Sequence, residues 1–149
     1  MNEQPTRRDL IWMVCEEGDR WYRAICRFAP EPVPLTPETC GGEHRWSVQR
    51  FENQPAKLAA AVNRHAGGPI VVLWELPTDD PAALIDRLDW IATIRGEAKE
   101  VFQTAWLPSC TAAELFLIAR EAGIATFLEN THSLQHLGEI VARRVSPLG

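Results

Sequence analysis

The sequence lacks the features on which several common functions depend. Its 15 lysine and arginine residues are outnumbered by 20 aspartate and glutamate residues, for a net charge of −5. The chain therefore lacks the positive field that non-specific nucleic-acid binding requires. No run approaches the ~20 apolar residues of a membrane helix, and the N-terminus lacks the apolar core and cleavage site of a signal peptide. We expect a cytoplasmic protein that binds neither nucleic acid nor membrane.

Motifs for nucleotide, metal and redox chemistry are also missing. The four cysteines have no CxxC spacing, and the sequence has no P-loop, GxSxG, HExxH or EF-hand pattern. The turn after the first apolar run, Cys15-Glu16-Glu17-Gly18-Asp19, has one glycine and three carboxylates, which would repel phosphate. We expect free thiols and no nucleotide cofactor.

The composition that is present describes one ordinary domain. The chain has 149 residues, of which 46% are hydrophobic, so it can bury a single core. We expect one domain over residues 1–149, with a polar tail at 1–9. Several of the 11 prolines lie in a Pro/Gly-rich loop at about 29–45, which is long for a compact domain.

Short apolar runs alternate with amphipathic stretches along the chain. The runs at 10–14, 70–74, 101–107 and 125–128 predict buried strands, and the mixed run at 45–51 predicts an edge strand. A helix is predicted after each strand. Cap residues are expected at 78–80, capping-box spacing occurs at 111–114, and stops are expected at Gly96 and Gly123. This alternation specifies an α/β fold, a doubly wound three-layer sandwich around a five-stranded parallel sheet.

The C-terminal third resembles one family more specifically. Residues 119–131 are similar to the end of a response-regulator receiver domain, where an Ala-Gly-Ala turn leads to an aromatic strand ending in Lys-Pro. Glu16-Glu17 is similar to the family's acidic pair, and Trp74-Glu75-Leu76-Pro77 lies where its phosphoacceptor strand ends. The resemblance implies a receiver-like, flavodoxin-like sheet with strand order 2-1-3-4-5.

The sequence departs from receivers at the residues that carry phosphotransfer. The phosphoacceptor position, four residues before the proline, is Leu73, and the nearest carboxylate is Glu75. The family's lysine becomes Asn130, while its hydroxyl residue is Ser109 by spacing or Thr104 by motif. Aspartyl phosphorylation needs a nucleophilic carboxylate, a divalent cation and a cationic side chain on the phosphoryl group. These losses predict a degenerate receiver, a pseudo-receiver.

A vestigial site is expected where the strands end, because ligands of open α/β sheets usually lie there. Its candidate residues are Glu16, Glu17, Glu75, Thr104, Ser109 and Asn130. Glu16 and Glu17 have the oxygen ligands that a weak Mg²⁺ site would use; the other interpretation is that they are solvated loop carboxylates.

The leading hypothesis is a regulatory or protein-interaction module that does not accept a phosphoryl group, with a protein partner or a second copy of itself. Candidate interface residues are Trp90, Trp106 and Phe127, since large aromatic side chains are enriched in interfaces. Two alternatives remain open at this point. One is a small metal-dependent enzyme that uses the strand-end carboxylates, and the other is a structural subunit of a larger complex.

Overall fold

A computed structural model describes residues 10–28, 46–65, 69–97, 101–108, 111–134 and 137. Within these ranges, five strands alternate with four helices. The strands are Leu10–Glu16 (β1), Trp46–Glu52 (β2), Ile70–Glu75 (β3), Val101–Trp106 (β4) and Thr126–Leu128 (β5). The helices are Arg20–Phe28 (α1), Pro55–Arg64 (α2), Pro81–Glu97 (α3) and Ala113–Ala122 (α4).

All strand pairs are parallel, and the order across the sheet is β2-β1-β3-β4-β5. This confirms the predicted flavodoxin-like α/β fold. The interior strands β1 and β3 are the most uniformly apolar because helices cover both of their faces. The edge position of β2 is confirmed as well.

Helix ends follow the sequence at two predicted positions and depart from it at two others. Asp80 Oδ1 accepts the Ala83 N–H at 3.2 Å at the start of α3, and Gly123 ends α4 with a φ of +143°. The predicted capping box at 111–114 is wrong, since the N-cap of α4 is Ala112 and no side chain caps it. The predicted stop at Gly96 is also wrong, because α3 continues through it to Glu97 while Ile94 stays buried.

Alternation along the strands divides the core into two layers. Met13, Val72 and Trp74 face α2, α3 and α4, whereas Trp12 and Leu73 face α1. The predicted burial of Trp12 and Trp74 is confirmed.

A buried amide connects the sheet to α3. The indole Nε1 of Trp74 donates to Gln103 Oε1 at 2.9 Å, and Gln103 Nε2 donates to the Ile91 carbonyl at 3.0 Å. Because the side-chain amide of Gln103 bonds at both its oxygen and its nitrogen, it fixes the position of α3 at little cost in desolvation.

Some predicted features lie outside the described residues. These are the tail at 1–9, the loop at 29–45 and most of the last helix, of which Leu134 and Leu137 are described and are buried on the α1 side of the sheet. Across the ranges that the structure describes, no helix has both the length and the hydropathy needed to cross a membrane.

Candidate functional site at the carboxyl ends of the strands

One sheet face gathers polar and aromatic side chains where the strands end. Because side chains alternate along a strand, Glu16, Arg50, Glu75 and Trp106 all lie on the face that α1 covers. They sit at the carboxyl ends of β1, β2, β3 and β4, at a place we call the carboxyl edge. This edge is where the sequence predicts the vestigial receiver site.

Glu16 is buried beneath the start of α1 and acts as its cap. Its two carboxylate oxygens accept the N–H groups of Trp21 and Tyr22, each at 2.8 Å. Burial raises the pKa of Glu16, and the charge of Glu75 raises it further, while the two N–H donors and Arg50 act in the opposite direction. Each oxygen therefore accepts one N–H group of the helix terminus.

Glu75 and Arg50 hold the loop between β1 and α1. Glu75 Oε1 accepts the Glu17 N–H at 3.3 Å, and the side chain of Glu17 is exposed. Arg50 Nε donates to the Gly18 carbonyl at 2.6 Å and its Nη2 donates to the Glu17 carbonyl at 3.2 Å. The sequence interpretation missed Arg50; parallel pairing of the run at 45–51 beside β1 was the signal that could have placed it there.

The remaining candidates of the vestigial site bond elsewhere. Thr104 is buried two residues before the end of β4, and its hydroxyl donates to the Thr126 carbonyl at 2.9 Å. Asn130 Oδ1 accepts the N–H groups of His132 at 2.9 Å and Ser133 at 3.2 Å, which is a local turn. Ser109 lies outside the described residues.

Of the three glutamates that are candidates for metal or acid–base chemistry, Glu16 and Glu75 lie on the same sheet face, and Glu75 bonds to the backbone of Glu17, whose side chain is exposed. In the described ranges, however, no group of three or more histidine, cysteine, aspartate and glutamate side chains is placed to hold a metal ion. The Mg²⁺ site at Glu16 and Glu17 stays a prediction.

An arginine and two tryptophans form a second cluster at the carboxyl edge, which we call the tryptophan wedge. The rings of Trp21 and Trp106 have centroids 6.1 Å apart and are tilted by 46°. The guanidinium of Arg20 lies 5.3 Å from the Trp21 centroid and 5.1 Å from the Trp106 centroid. Both distances are within cation–π range.

Exposed apolar side chains concentrate on α4. Leu117 and Ile118 are 59% and 50% exposed. Beside them lies an open groove of about 300 Å³, and its lining is Ala113, Phe116, Leu117, Arg120 and Phe127. Phe116 meets Phe127 edge to face at 4.9 Å. We call these six residues the α4 surface.

The three aromatic residues predicted to lie at an interface have different surroundings. Phe127 forms part of the α4 surface, and Trp106 forms part of the tryptophan wedge. Trp90 is partly buried against the core layer beneath α2 and α3.

Comparisons with known proteins identify the fold alone. No protein-family model matches the sequence, and no curated protein matches it significantly. A crystal structure of a protein assigned to pilus assembly, CpaE from Burkholderia thailandensis, superposes with a TM-score of 0.62 at 13% identity, covering 90% of this chain and 98% of the other. A pilus assembly-related protein from Burkholderia pseudomallei gives a TM-score of 0.65 at 12% identity, covering 99% and 100%. The chain thus has a receiver-like fold that solved proteins share at low identity.

Proposed function

We propose that this chain is a receiver-like regulatory or protein-interaction module that does not carry out aspartyl phosphotransfer. The observation that carries this proposal is the hydrogen bonding of Glu16, whose two oxygens both accept N–H groups of α1. A carboxylate that holds Mg²⁺ must direct an oxygen to the metal. Here each oxygen already accepts an N–H group of α1, so a metal ion would have to share these oxygens with the helix cap.

Two further residues support the same conclusion. Leu73, at the phosphoacceptor position that the resemblance assigns, is wholly buried and offers no nucleophile. Asn130, at the position of the lysine, directs its side-chain oxygen to the backbone of the following turn. Neither residue supplies what phosphoryl transfer demands of it.

Incubation with Mg²⁺ and acetyl phosphate, read by intact mass, tests the loss of phosphotransfer. We expect the mass to stay unchanged, and Glu75→Gln to behave as the parent does. An acid-labile phosphoryl adduct that disappears in Glu75→Gln would refute the proposal. Titration with millimolar Mg²⁺, followed by tryptophan fluorescence, is expected to give no saturable response.

The α4 surface supports the interaction role, and the partner that it fits is a second copy of the chain. Leu117 is central in α4, with Glu114 three residues before it and Arg120 three residues after it. A two-fold axis through Leu117 would place each Glu114 opposite Arg120 of the second copy. Such an isologous pairing buries the exposed leucine and matches opposite charges at the same time.

Sedimentation velocity over a concentration series tests the pairing. The parent is expected to associate as concentration rises, and Leu117→Glu is expected to remain monomeric. Ile85→Glu is the matched control, because Ile85 is 61% exposed on α3, outside the α4 surface. Glu114→Arg and Arg120→Glu should each weaken association, and the double variant should restore it. Association that Leu117→Glu leaves unchanged would exclude this surface.

The two structural neighbours give the setting in which the module would act. Both are connected by name with pilus assembly. We therefore propose pilus assembly as the process, tested by deleting the gene in its host and complementing with the parent or Leu117→Glu. Loss of surface pili that only the parent restores would support this setting, and normal pili in the deletion strain would contradict it.

A further inference from the structure

We propose that the tryptophan wedge is a binding site for a cationic side chain of a partner protein, and that Arg20 occupies it in the unbound chain. Trp21, Trp106 and Arg20 form it. This proposal names the partner chemistry for the interaction module proposed above, at a different surface from α4.

The wedge lies at the carboxyl edge, close to the point where the strand order of the sheet reverses. The crossover from β1 leads to β2 on one side, and the chain then returns to β3 on the other side. Ligands of open α/β sheets lie outside the carboxyl ends of the strands at this switch point. Trp21 is in the first turn after β1 and Trp106 ends β4, so the pair spans the end of β3.

The charges around the wedge favour a cation over an anion. Glu17 and Asp19 are exposed in the loop that precedes α1, and Glu75 is partly exposed beside them. The guanidinium of Arg50 faces the backbone carbonyls of this loop. Carboxylates beside two aromatic faces form the environment that binds guanidinium and ammonium groups.

A buried donor in the wedge also lacks an acceptor. The Trp21 side chain is fully buried, and its indole N–H has no hydrogen-bond partner among the residues that the structure describes. Such a donor is costly, and because it is enclosed, a guest can reach it only after Arg20 has moved away. A guest that then brings an acceptor gains a hydrogen bond. A peptide supplies both groups, because its side chain carries the cation and its backbone carries the carbonyl.

Arg20 has the properties of an occupant that can leave. It is exposed at the first position of α1 and lies against the two rings, and it forms no salt bridge with another residue of the described ranges. Both rings pack in the core layer on that face. Its departure uncovers the faces of Trp21 and Trp106 to a guest from outside. An occupant within the chain lowers the apparent affinity for such a guest, because the guest must displace it.

The proposal is tested by titrating the full chain with a tetra-arginine peptide. Binding is monitored by the indole N–H signals in a two-dimensional NMR spectrum. Arg20→Ala is expected to bind about tenfold more tightly than the parent, which is the size of a desolvated cation–π contact. The shifts should be largest for the indole signals of Trp21 and Trp106. A tetra-glutamate peptide should produce none of them.

Two variants separate this effect from a general change of charge or stability. Arg23→Ala removes the same charge from an exposed position of the same helix. Arg23 pairs with Asp19 and not with the rings, so its loss should leave the affinity for the peptide within about twofold of that of the parent. Trp106→Leu, made in the Arg20→Ala background, should abolish the tighter binding while circular dichroism shows a retained fold. Equal gains in Arg20→Ala and Arg23→Ala, or binding that Trp106→Leu does not weaken, would overturn the proposal. These measurements do not depend on the α4 surface or on the phosphodonor assay. The cation site at the tryptophan wedge can therefore be refuted without refuting the proposed interaction module.

Discussion

Replacing Glu16 tests whether this carboxylate is a structural cap. Its oxygens accept two N–H groups at the start of α1, and the side chain is buried. Glu16→Ala leaves both donors without an acceptor. Glu16→Gln keeps one acceptor, the amide oxygen, and presents an NH₂ group to the other donor.

The expected cost follows from these two hydrogen bonds. Loss of an N-terminal cap costs about 0.5–2 kcal/mol, and a buried donor left unsatisfied costs about 1–3 kcal/mol. Relief of the desolvation that raises the pKa of Glu16 offsets part of this loss. We expect Glu16→Ala to lower the free energy of unfolding by about 2–3 kcal/mol and Glu16→Gln by about 1–2 kcal/mol.

The raised pKa gives this prediction a pH dependence of known sign. The folded state holds the Glu16 proton to higher pH than the unfolded state, whose pKa is near 4.5. The folded state therefore binds more protons in the window just above pH 4.5, and stability declines there as pH rises. The difference in unfolding free energy between the parent and Glu16→Gln should be largest at pH values below this window. It should decrease as the pH rises through the window.

Urea unfolding followed by circular dichroism, between acidic and neutral pH, measures both effects. Glu17→Gln is the matched control, because it removes the same charge from the adjacent, exposed residue and should change stability by less than about 0.5 kcal/mol. A Glu16→Ala variant as stable as the parent would refute the capping role. An advantage over Glu16→Gln that widens with rising pH would refute the electrostatic reasoning.

Three further predictions concern the scaffold. Gly123→Ala should lower the free energy of unfolding, measured in urea, by about 1–3 kcal/mol. The φ of +143° at this position strains an L residue, and the new Cβ would lie 3.2 Å from the Arg95 side chain. The control is Gly96→Ala, which has open space around it in α3 and should be neutral or slightly stabilising. Gln103→Leu should cost about 1–3 kcal/mol, since it leaves the buried indole N–H of Trp74 unpaired and removes the side-chain bond to the Ile91 carbonyl; an unchanged urea midpoint would contradict this. Burial raises the pKa of Cys15 to about 11, so peptide mapping after brief iodoacetamide treatment at pH 8 should find exposed Cys26 alkylated and Cys15 protected until the chain unfolds.

Local signals were sufficient for the fold because they agree with one another. The run at 70–74 is apolar throughout and lies between two prolines, which favours a buried strand. Gly123 marks a helix end whose backbone conformation only glycine adopts easily. The start of α4 was misplaced because Thr111 and Glu114 have capping-box spacing, yet the Thr111 N–H bonds to the Pro108 carbonyl and keeps Thr111 in the loop. Spacing alone does not report such a competing turn.

The candidate site was harder to predict because its contacts depend on pairing between strands. Glu16 and Glu75 could be placed at strand ends from the sequence, but their hydrogen-bond partners could not. Arg50 belongs to no recognisable motif. It reaches the β1–α1 loop only because β2 pairs in register with β1. Long-range register is set by the whole sheet, so no local pattern contained this contact.

The proposed loss of phosphotransfer and the proposed cation site both depend on the charges at the carboxyl edge. Receivers balance their strand-end carboxylates with a metal ion and a lysine, and this chain has Asn130 at the lysine position. Arg50 is held against loop carbonyls, Glu16 is enclosed by the start of α1, and Asp19 is paired with Arg23. Glu17 and Glu75 are thus the carboxylates that set the field outside the edge. A carboxylate field next to two indole faces repels phosphate and attracts guanidinium. On these two proposals, the position of Asn130 in place of the lysine leaves the carboxyl edge with a field that favours a basic side chain over a phosphoryl group.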